Sequence, residues 1–115
     1  MGERWKAVRG YEGRYLVSDL GRVRTLRSGK LLKGFRRGCM ETRSYLAVEL
    51  YGDDGKSKVH YVHRLVSEAF CRQIAGADCV DHLNENKLDN RAENLEWVTA
   101  SENSRRHYER TRDEH

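Results

Sequence analysis

Apolar and polar residues alternate in short stretches through the first part of the chain. Tyr15, Val17 and Val23 follow a period of two, which is typical of half-buried strands. Glycines at positions 10, 13 and 21 separate these stretches and favour turns. Residues 5–26 are therefore predicted to form a small antiparallel β-module.

A second alternating segment begins at Tyr45. Residues 45–51, YLAVELY, predict a strand, and residues 52–55, GDDG, predict a turn. Residues 58–61 alternate again and predict the returning strand. Together they predict a β-hairpin.

The hydrophobic period changes after this hairpin. Apolar residues then recur at the spacing of one helix face, at Val62, Leu65, Val66, Ala69 and Phe70. Gly76 is a suitable residue to end this helix. We expect the helix to lie at the centre of the core.

The last third of the chain predicts a strand, a long loop, a second strand and a helix. Two short apolar segments, residues 79–80 and 95–98, flank an asparagine-rich loop. Thr99 followed by Glu102 forms a capping-box pattern, so the last helix should begin at Ala100. The predicted fold class is α+β, with the β-module followed by a hairpin, a helix and this ββα unit.

The composition predicts a single domain without a membrane-spanning segment. The chain has 115 residues, 35% of them charged, and no apolar run long enough to cross a bilayer. The N-terminus, MGERWKAVRG, lacks the apolar segment of a signal peptide, so we expect a cytoplasmic protein. Cys39, Cys71 and Cys79 are an odd number without CxxC spacing, which disfavours a disulfide framework.

The net charge of +4 is distributed unevenly along the chain. Residues 1–40 carry 11 Lys or Arg against 3 Asp or Glu, whereas residues 41–115 carry 11 against 15. Basic residues beside aromatics and glycines, as in RGYEGRY and KGFRRG, suit β-strands that contact a phosphate backbone. The same basic residues would also suit an acidic protein partner. The candidate DNA-binding residues in this part are Arg14, Arg22, Arg24, Arg27, Lys33, Arg36 and Arg37.

A set of polar residues in the ββα unit has the spacing of a catalytic site. Asn103 and His107 lie one turn apart on the predicted helix, so they share a face, and the hairpin brings Asp81 and His82 towards that helix. A histidine with an ordinary pKa of ~6.5 is suited to take a proton from water at neutral pH. Carboxylate and amide oxygens of Asp81 and Asn103 suit Mg²⁺ or Mn²⁺, and His107 would favour Ni²⁺ or Zn²⁺.

Two segments of the chain resemble known families. VDHLNENKLDNRAENLEWVTASEN resembles the core of HNH endonucleases of the phage and homing type, and VHRLVSEAF resembles the helix that precedes that core. WKAVRGYEGRYLVSDLGRVRTL is similar to the NUMOD4 motif, which is associated with DNA binding. The resemblance implies a DNA-binding module in residues 1–40 and a nuclease core in residues 41–115, with the ββα-metal unit at about 79–110, joined as one compact unit.

The resemblance also implies roles for single residues. His82 would be the general base, Asp81 and Asn103 the metal ligands, and Asn94 the residue that ties the loop together and orients the base. Asn103 stands where many relatives have histidine, and the homing-type subgroup shares this departure. His107 matches a position at which bacterial-toxin members keep a further metal-binding histidine. Arg105 and Arg106 on the same helix are candidates for phosphate contacts.

The sequence therefore predicts a metal-dependent endonuclease that nicks one strand of duplex DNA as a monomer or weak homodimer, in a bacterium or a phage-infected host cell. Two alternatives remain open. A non-catalytic DNA-binding regulator would use the same scaffold. A structural zinc site would use Cys71, Cys79, His60 and His63. The two histidines are otherwise expected to pack or cap, and the cysteines to be free thiols. The loop residues Asn84, Asn86, Asp89 and Asn90 are expected to shape the loop, and Asn90 is also a candidate secondary metal ligand.

Overall fold

The computed structural model describes residues 2–38 and 45–113, without the side chains of residues 107 and 110–113. The strands are β1 (Trp5–Ala7), β2 (Tyr15–Ser18), β3 (Val23–Thr25), β4 (Phe35–Arg37), β5 (Tyr45–Tyr51), β6 (Ser57–Tyr61), β7 (Cys79–His82) and β8 (Leu95–Val98). The helices are α1 (Val62–Phe70) and α2 (Ala100–Asp113), and a 3-10 helix spans Ala92–Asn94. This mixture of antiparallel sheets and helices confirms the predicted α+β class.

The first sheet has the order β1-β2-β3, with antiparallel pairing throughout. Val17 pairs with Val23 and Tyr15 with Thr25, so the predicted alternation places Val17 and Val23 in the core. The turn between β2 and β3 needs a positive φ, which Gly21 supplies at +87°. The small β-module predicted from the glycine spacing is confirmed.

The second sheet has the order β4-β5-β6. β5 and β6 form the predicted hairpin, and the amide of Gly55 donates to the carbonyl of Gly52 across the turn at 3.1 Å. Strand β4 pairs with β5 through exposed residues and has no apolar alternation; it lies within KGFRRG, whose basic and aromatic composition was expected to suit a strand.

Helix α1 begins at Val62 as predicted but ends at Phe70, so the expected end at Gly76 is wrong. Cys71 is already extended, with φ −96° and ψ 144°. Residues 72–76 are exposed, so a longer helix would have no apolar face to bury. Gly76 instead takes φ +82° in a later turn, in which the amide of Ala77 donates to the carbonyl of Ile74 at 2.9 Å.

Helix α1 lies at the centre of the core, as predicted. It packs against β2, β5, β6, β7 and β8. Val62 and Val66 are fully buried, together with Val17 of the first sheet and Leu50 of the second. One hydrophobic cluster therefore joins both sheets to the ββα unit. Within the described part of the chain, no helix has the length and apolar character to cross a bilayer.

The ββα unit is formed by β7, β8 and α2. β7 and β8 are antiparallel, with Asp81 opposite Glu96 and His82 opposite Leu95. Helix α2 begins at Ala100 as predicted, and the Thr99 hydroxyl accepts a hydrogen bond from the Glu102 amide at 3.1 Å. The Glu102 carboxylate bonds Arg106.

Candidate active site

The asparagine-rich loop between β7 and β8 is held together by its own side chains. Asn94 Oδ1 accepts from the Asn84 amide, and Asn94 Nδ2 donates to Asn84 Oδ1 and to the Asp89 carbonyl, each at 2.9 Å. Asn84 Nδ2 donates to Asp89 at 2.8 Å, and Asn84 Oδ1 accepts from the Asn86 amide at 2.9 Å. These bonds satisfy backbone groups that a long loop would otherwise leave unpaired. The loop asparagines therefore bond to one another and close the loop around the buried Asn94.

The ring of His82 is bonded to Asn90, which lies near the end of the same loop. His82 Nε2 donates to Asn90 Oδ1 at 2.9 Å, which leaves Nδ1 as the nitrogen that can accept a proton. Both residues are buried, at 5% and 4% exposure. Burial lowers the pKa of His82, while the Asn90 hydrogen bond and the charges of Asp81 and Asp89 act in the opposite direction. The imidazole is therefore neutral and oriented at neutral pH, which a general base requires.

Aromatic rings enclose His82 on its other side. The centroids of His63 and Tyr45 lie 5.2 and 5.9 Å from that of His82, and Tyr61 stacks on His63 at 5.5 Å. Burial, reinforced by repulsion from His82 and Arg64, lowers the pKa of His63 to about 3. His63 is therefore an uncharged part of an aromatic wall, consistent with its predicted packing role.

The carboxylate of Asp81 faces helix α2. Successive strand residues point to opposite faces, so Asp81 and His82 leave β7 in different directions. Arg106 Nη1 contacts Asp81 Oδ2 at 3.0 Å and Glu96 Oε2 at 3.2 Å, and Arg106 Nη2 contacts Glu102 at 2.8 Å. The hydrogen bonds to Glu96 and Asp81 raise the pKa of Arg106. The predicted phosphate-binding residue Arg106 is thus part of an internal network of ion pairs.

The two oxygen donors predicted for a divalent cation lie on elements that contact each other, Asp81 on β7 and Asn103 on α2. Asn103 precedes Arg106 by three residues on α2, so it lies on the helix face from which Arg106 reaches Asp81. Carboxylate and carboxamide oxygens are hard donors of the kind that Mg²⁺ or Mn²⁺ prefers. The position of His107 lies in α2, but its side chain is outside the described residues.

Among the described residues, no three His, Cys, Asp or Glu side chains form a group that would hold a metal ion. The alternative zinc site has no such geometry in this part of the chain. His60 bonds the hydroxyl of Tyr11 at 2.9 Å, whereas Cys71 Sγ lies 3.6 Å from the carbonyls of Ala92 and Leu95. These residues join the β-module and the ββα unit to the rest of the fold.

The candidate DNA-binding residues fall into two groups. Three of them have partners within the protein: Arg14 bonds the Tyr51 carbonyl and Asp53, Arg22 bonds Glu3, and Arg24 lies over the Trp5 ring at 4.5 Å. The second group has exposed side chains on β4, on α2 and on the segment before β4: Arg27, Lys33, Arg36, Arg37 and Arg105.

Asn90 is the residue whose place in the site the sequence did not predict. The resemblance assigned the orientation of His82 to Asn94. The imidazole instead donates its hydrogen bond to Asn90 Oδ1, and the side chain of Asn94 bonds Asn84 and Asp89. Asn90 was expected to shape the loop or to bind the cation, yet its Oδ1 is engaged by His82. No spacing rule distinguishes Asn90 from the other loop asparagines, because a long loop has no fixed period.

Two family models match the chain. The model described as HNH endonuclease matches residues 60–105, and the model of the NUMOD4 motif matches residues 3–39. These matches confirm both resemblances predicted from the sequence. The chain is therefore similar to the NUMOD4 motif over residues 3–39 and to HNH endonucleases over residues 60–105.

Curated relatives come from viruses. DNA endonuclease I-HmuI of Bacillus phage SP01 is 40% identical over 99 residues, which cover 86% of this chain and 54% of the phage protein. An uncharacterised HNH endonuclease of Acanthamoeba polyphaga mimivirus is 41% identical over 105 residues, covering 88% of this chain and 25% of that protein. The chain thus spans about half of the phage relative and a quarter of the mimivirus relative.

A solved structure has the same fold. It is described as DNA binding and cleavage by the HNH homing endonuclease I-HmuI, and it matches with a TM-score of 0.82 at 38% identity. The match covers 94% of this chain and 59% of that chain.

Proposed function

We propose that this chain is a metal-dependent DNA endonuclease of the HNH type, which hydrolyses one phosphodiester bond in duplex DNA and so nicks one strand. The observation that carries the proposal is the buried His82–Asn90 hydrogen bond, formed at the strand position that follows the buried Asp81. The phage relative described as an HNH homing endonuclease supports DNA as the substrate. The proposed location is a bacterial or phage-infected host cell, where such DNA is available.

His82 is proposed to take the proton from the attacking water. The bond from Nε2 to Asn90 fixes the ring, so that Nδ1 holds the lone pair that accepts the proton. A positioned general base of this kind accelerates hydrolysis by roughly a hundredfold to ten-thousandfold.

Asp81 and Asn103 are proposed to hold one divalent cation, with Mg²⁺ or Mn²⁺ favoured by their oxygen donors and Ni²⁺ or Zn²⁺ becoming suitable if His107 also binds. When bound, the cation stabilises negative charge on the phosphate and on the leaving oxygen. Asp81 is already held in place by Arg106 at 3.0 Å.

The exposed cations of residues 1–40, called the N-terminal module, are proposed to hold the DNA backbone together with Arg105 of α2. Arg36 and Arg37 of β4 lie on an exposed strand, and Arg105 is exposed on the helix of the ββα unit. Contacts to phosphate position a duplex without reading its sequence. One ββα unit in a chain that acts as a monomer or weak homodimer gives one nick in each binding event.

Conversion of supercoiled plasmid to open circle tests this function. Purified protein with Mg²⁺ or Mn²⁺ should nick the plasmid, and nicking should stop with EDTA or in His82→Ala. A wild type that shifts DNA in a gel but never nicks it with any divalent ion would contradict the proposal. That result would favour a DNA-binding regulator on the same scaffold.

A further inference from the structure

We propose that the N-terminal module positions the general base: the β2–β3 turn at Gly21 braces the backbone of Asn90, and Asn90 in turn holds the ring of His82. Gly21 and Asn90 are thus positioning residues, which act on the reaction only through His82. The inference rests on the proposed function, because it assigns a task within that catalytic site. It gives the NUMOD4 motif a second role beside DNA contact.

The first observation is the close approach of the turn to the loop. Gly21 has φ +87°, and a Cβ built at this position would lie 3.0 Å from the Asn90 carbonyl oxygen, 3.1 Å from its Cβ and 3.2 Å from its carbonyl carbon. Two of the three atoms belong to the backbone, which cannot move aside as the end of a long side chain can. A Cβ at this position would push the Asn90 backbone away by a few tenths of an ångström, so the turn fits directly against Asn90.

The second observation is a hydrogen bond two residues further along the loop. The amide of Ala92 donates to the carbonyl of Asp19 at 2.8 Å. Asp19 and Gly21 belong to the same turn, and Asn90 and Ala92 belong to the same end of the loop. The two segments are therefore joined at two points, which fixes the direction of the loop as well as its distance.

The turn that provides this support is itself held rigidly. Ser18 is fully buried, and its hydroxyl accepts from the amides of Leu20 at 3.2 Å and Arg22 at 3.1 Å. The amide of Gly21 donates to the Ser18 carbonyl at 3.1 Å. A turn with its amides satisfied in this way transmits its position to whatever it contacts.

The Asn90 side chain has few restraints of its own. Within the described residues its Nδ2 is buried without a hydrogen-bond partner, while its Oδ1 bonds His82. Its direction is consequently set by its backbone, and that backbone is set by Gly21 and by the Asp19–Ala92 bond. A displacement of about 1 Å at a catalytic group lowers a rate by as much as roughly a hundredfold, so this brace bears on the rate of cleavage.

The experiment compares Gly21→Ala with Gly10→Ala. Gly10 has the same φ of +87° but nothing within 4 Å of its Cβ position, so the two variants share the backbone strain and differ in the contact with Asn90. Three quantities are measured: the single-turnover nicking rate, the affinity for the same duplex with Ca²⁺ in place of Mg²⁺, and the ¹⁵N resonances of the His82 ring without DNA or metal. Circular dichroism confirms that both variants are folded.

We expect Gly21→Ala to nick roughly tenfold or more slowly than Gly10→Ala, with equal DNA affinity and with displaced His82 ring resonances. Asn90→Ala should displace the same resonances, and adding Gly21→Ala to Asn90→Ala should slow nicking no further, because the path to His82 is already broken. Equal nicking rates and unmoved resonances in the Gly21 and Gly10 variants would overturn the proposal. So would two losses that simply multiply in the double variant.

Two further controls keep the test decisive. If Gly21→Ala fails to fold, Gly21→Asn and Gly10→Asn replace the pair, because asparagine tolerates positive φ better while its Cβ makes the same contact. If the wild type does not nick DNA at all, the proposed function fails. The His82 resonances of the Gly21 variant then still decide whether the turn positions the ring.

Discussion

The N-terminal module and the ββα unit use their polar residues in opposite ways. The module carries its excess of cations on exposed side chains such as Arg36 and Arg37, whose positions are set by little more than a short strand. The ββα unit buries Asp81, His82, Asn90 and Asn94 at 4–6% exposure and bonds each of them to a defined partner. Attraction to a uniform phosphate backbone tolerates loose geometry, whereas proton transfer does not. In the proposed endonuclease, DNA binding and cleavage should therefore be separable by substitution, although the turn at Gly21 joins the two regions.

The largest effect should come from Asp81→Asn. Loss of the carboxylate removes the charged ligand proposed for the cation, and such a cation contributes several kcal/mol to the reaction, so single-turnover nicking should fall roughly a thousandfold or more. DNA affinity in Ca²⁺ should stay close to that of the wild type, since the exposed cations are unchanged. An equal loss of affinity and of nicking would show that the two regions are not separable in this way.

Asn94→Ala should lower stability the most among the loop asparagines. It leaves the amide of Asn84 and the carbonyl of Asp89 without their partners, and each lost bond to a buried or half-buried group costs ~1 kcal/mol or more. The free energy of unfolding, measured in urea, should fall by about 2–3 kcal/mol. Asn86→Ala, an exposed residue of the same loop, serves as the matched control and should cost less than about 1 kcal/mol. Equal losses at both positions would contradict the central place given to Asn94.

The double substitution Arg36→Gln and Arg37→Gln should act on binding alone. Each phosphate contact that is removed lowers the slope of log affinity against log salt by about 0.9, and the loss in affinity at low salt should be about tenfold. The nicking rate at saturating protein should not change. A reduced rate on fully bound DNA would mean that β4 also contributes to the catalytic geometry.

The smallest effect concerns pH and His63. Its pKa is lowered from 6.5 to about 3 by burial, so the unfolded chain binds a proton below about pH 6.5 that the folded chain rejects. The stability from the neutral ring is therefore fully present above this pH and is lost as the pH falls towards 3. Between about pH 7 and about pH 5.5 the loss should be about 1 kcal/mol. The free energy of unfolding of His63→Phe, measured in urea, should fall less over this interval than that of the wild type. An identical pH dependence in the two proteins would show that His63 is not neutral in the fold.

Much of the fold could be predicted because it depends on local periods. The alternation around Val17 and Val23, the hairpin that begins at Tyr45 and the capping residue Thr99 each specify an element from a few neighbouring residues. The end of α1 could not be predicted from Gly76, since the helix stops where its apolar face stops. The edge strand β4 has no apolar period to reveal it.

The residues of the site also fall into those that a local spacing predicts and those that it does not. Asp81, His82, Asn94 and Asn103 were predicted because their spacing matches a known family. Gly21 and Asn90 are 69 positions apart and Asp81 and Arg106 are 25 apart, so no local pattern reports these contacts. His82 and Asn90 are only eight positions apart, but the loop between them has no fixed period. No local pattern encodes which loop asparagine faces the imidazole or which turn supports it.

The measurement that tests the central claim most directly compares the wild type with His82→Ala on a duplex whose strands carry different labels. Binding and single-turnover cleavage are followed in the same buffer, with Ca²⁺ for the first and Mg²⁺ or Mn²⁺ for the second. The predicted result is a cut in one strand by the wild type, and a variant that binds equally well but cuts roughly a hundredfold or more slowly. A variant that cuts as fast as the wild type would contradict the assignment of His82 as the base.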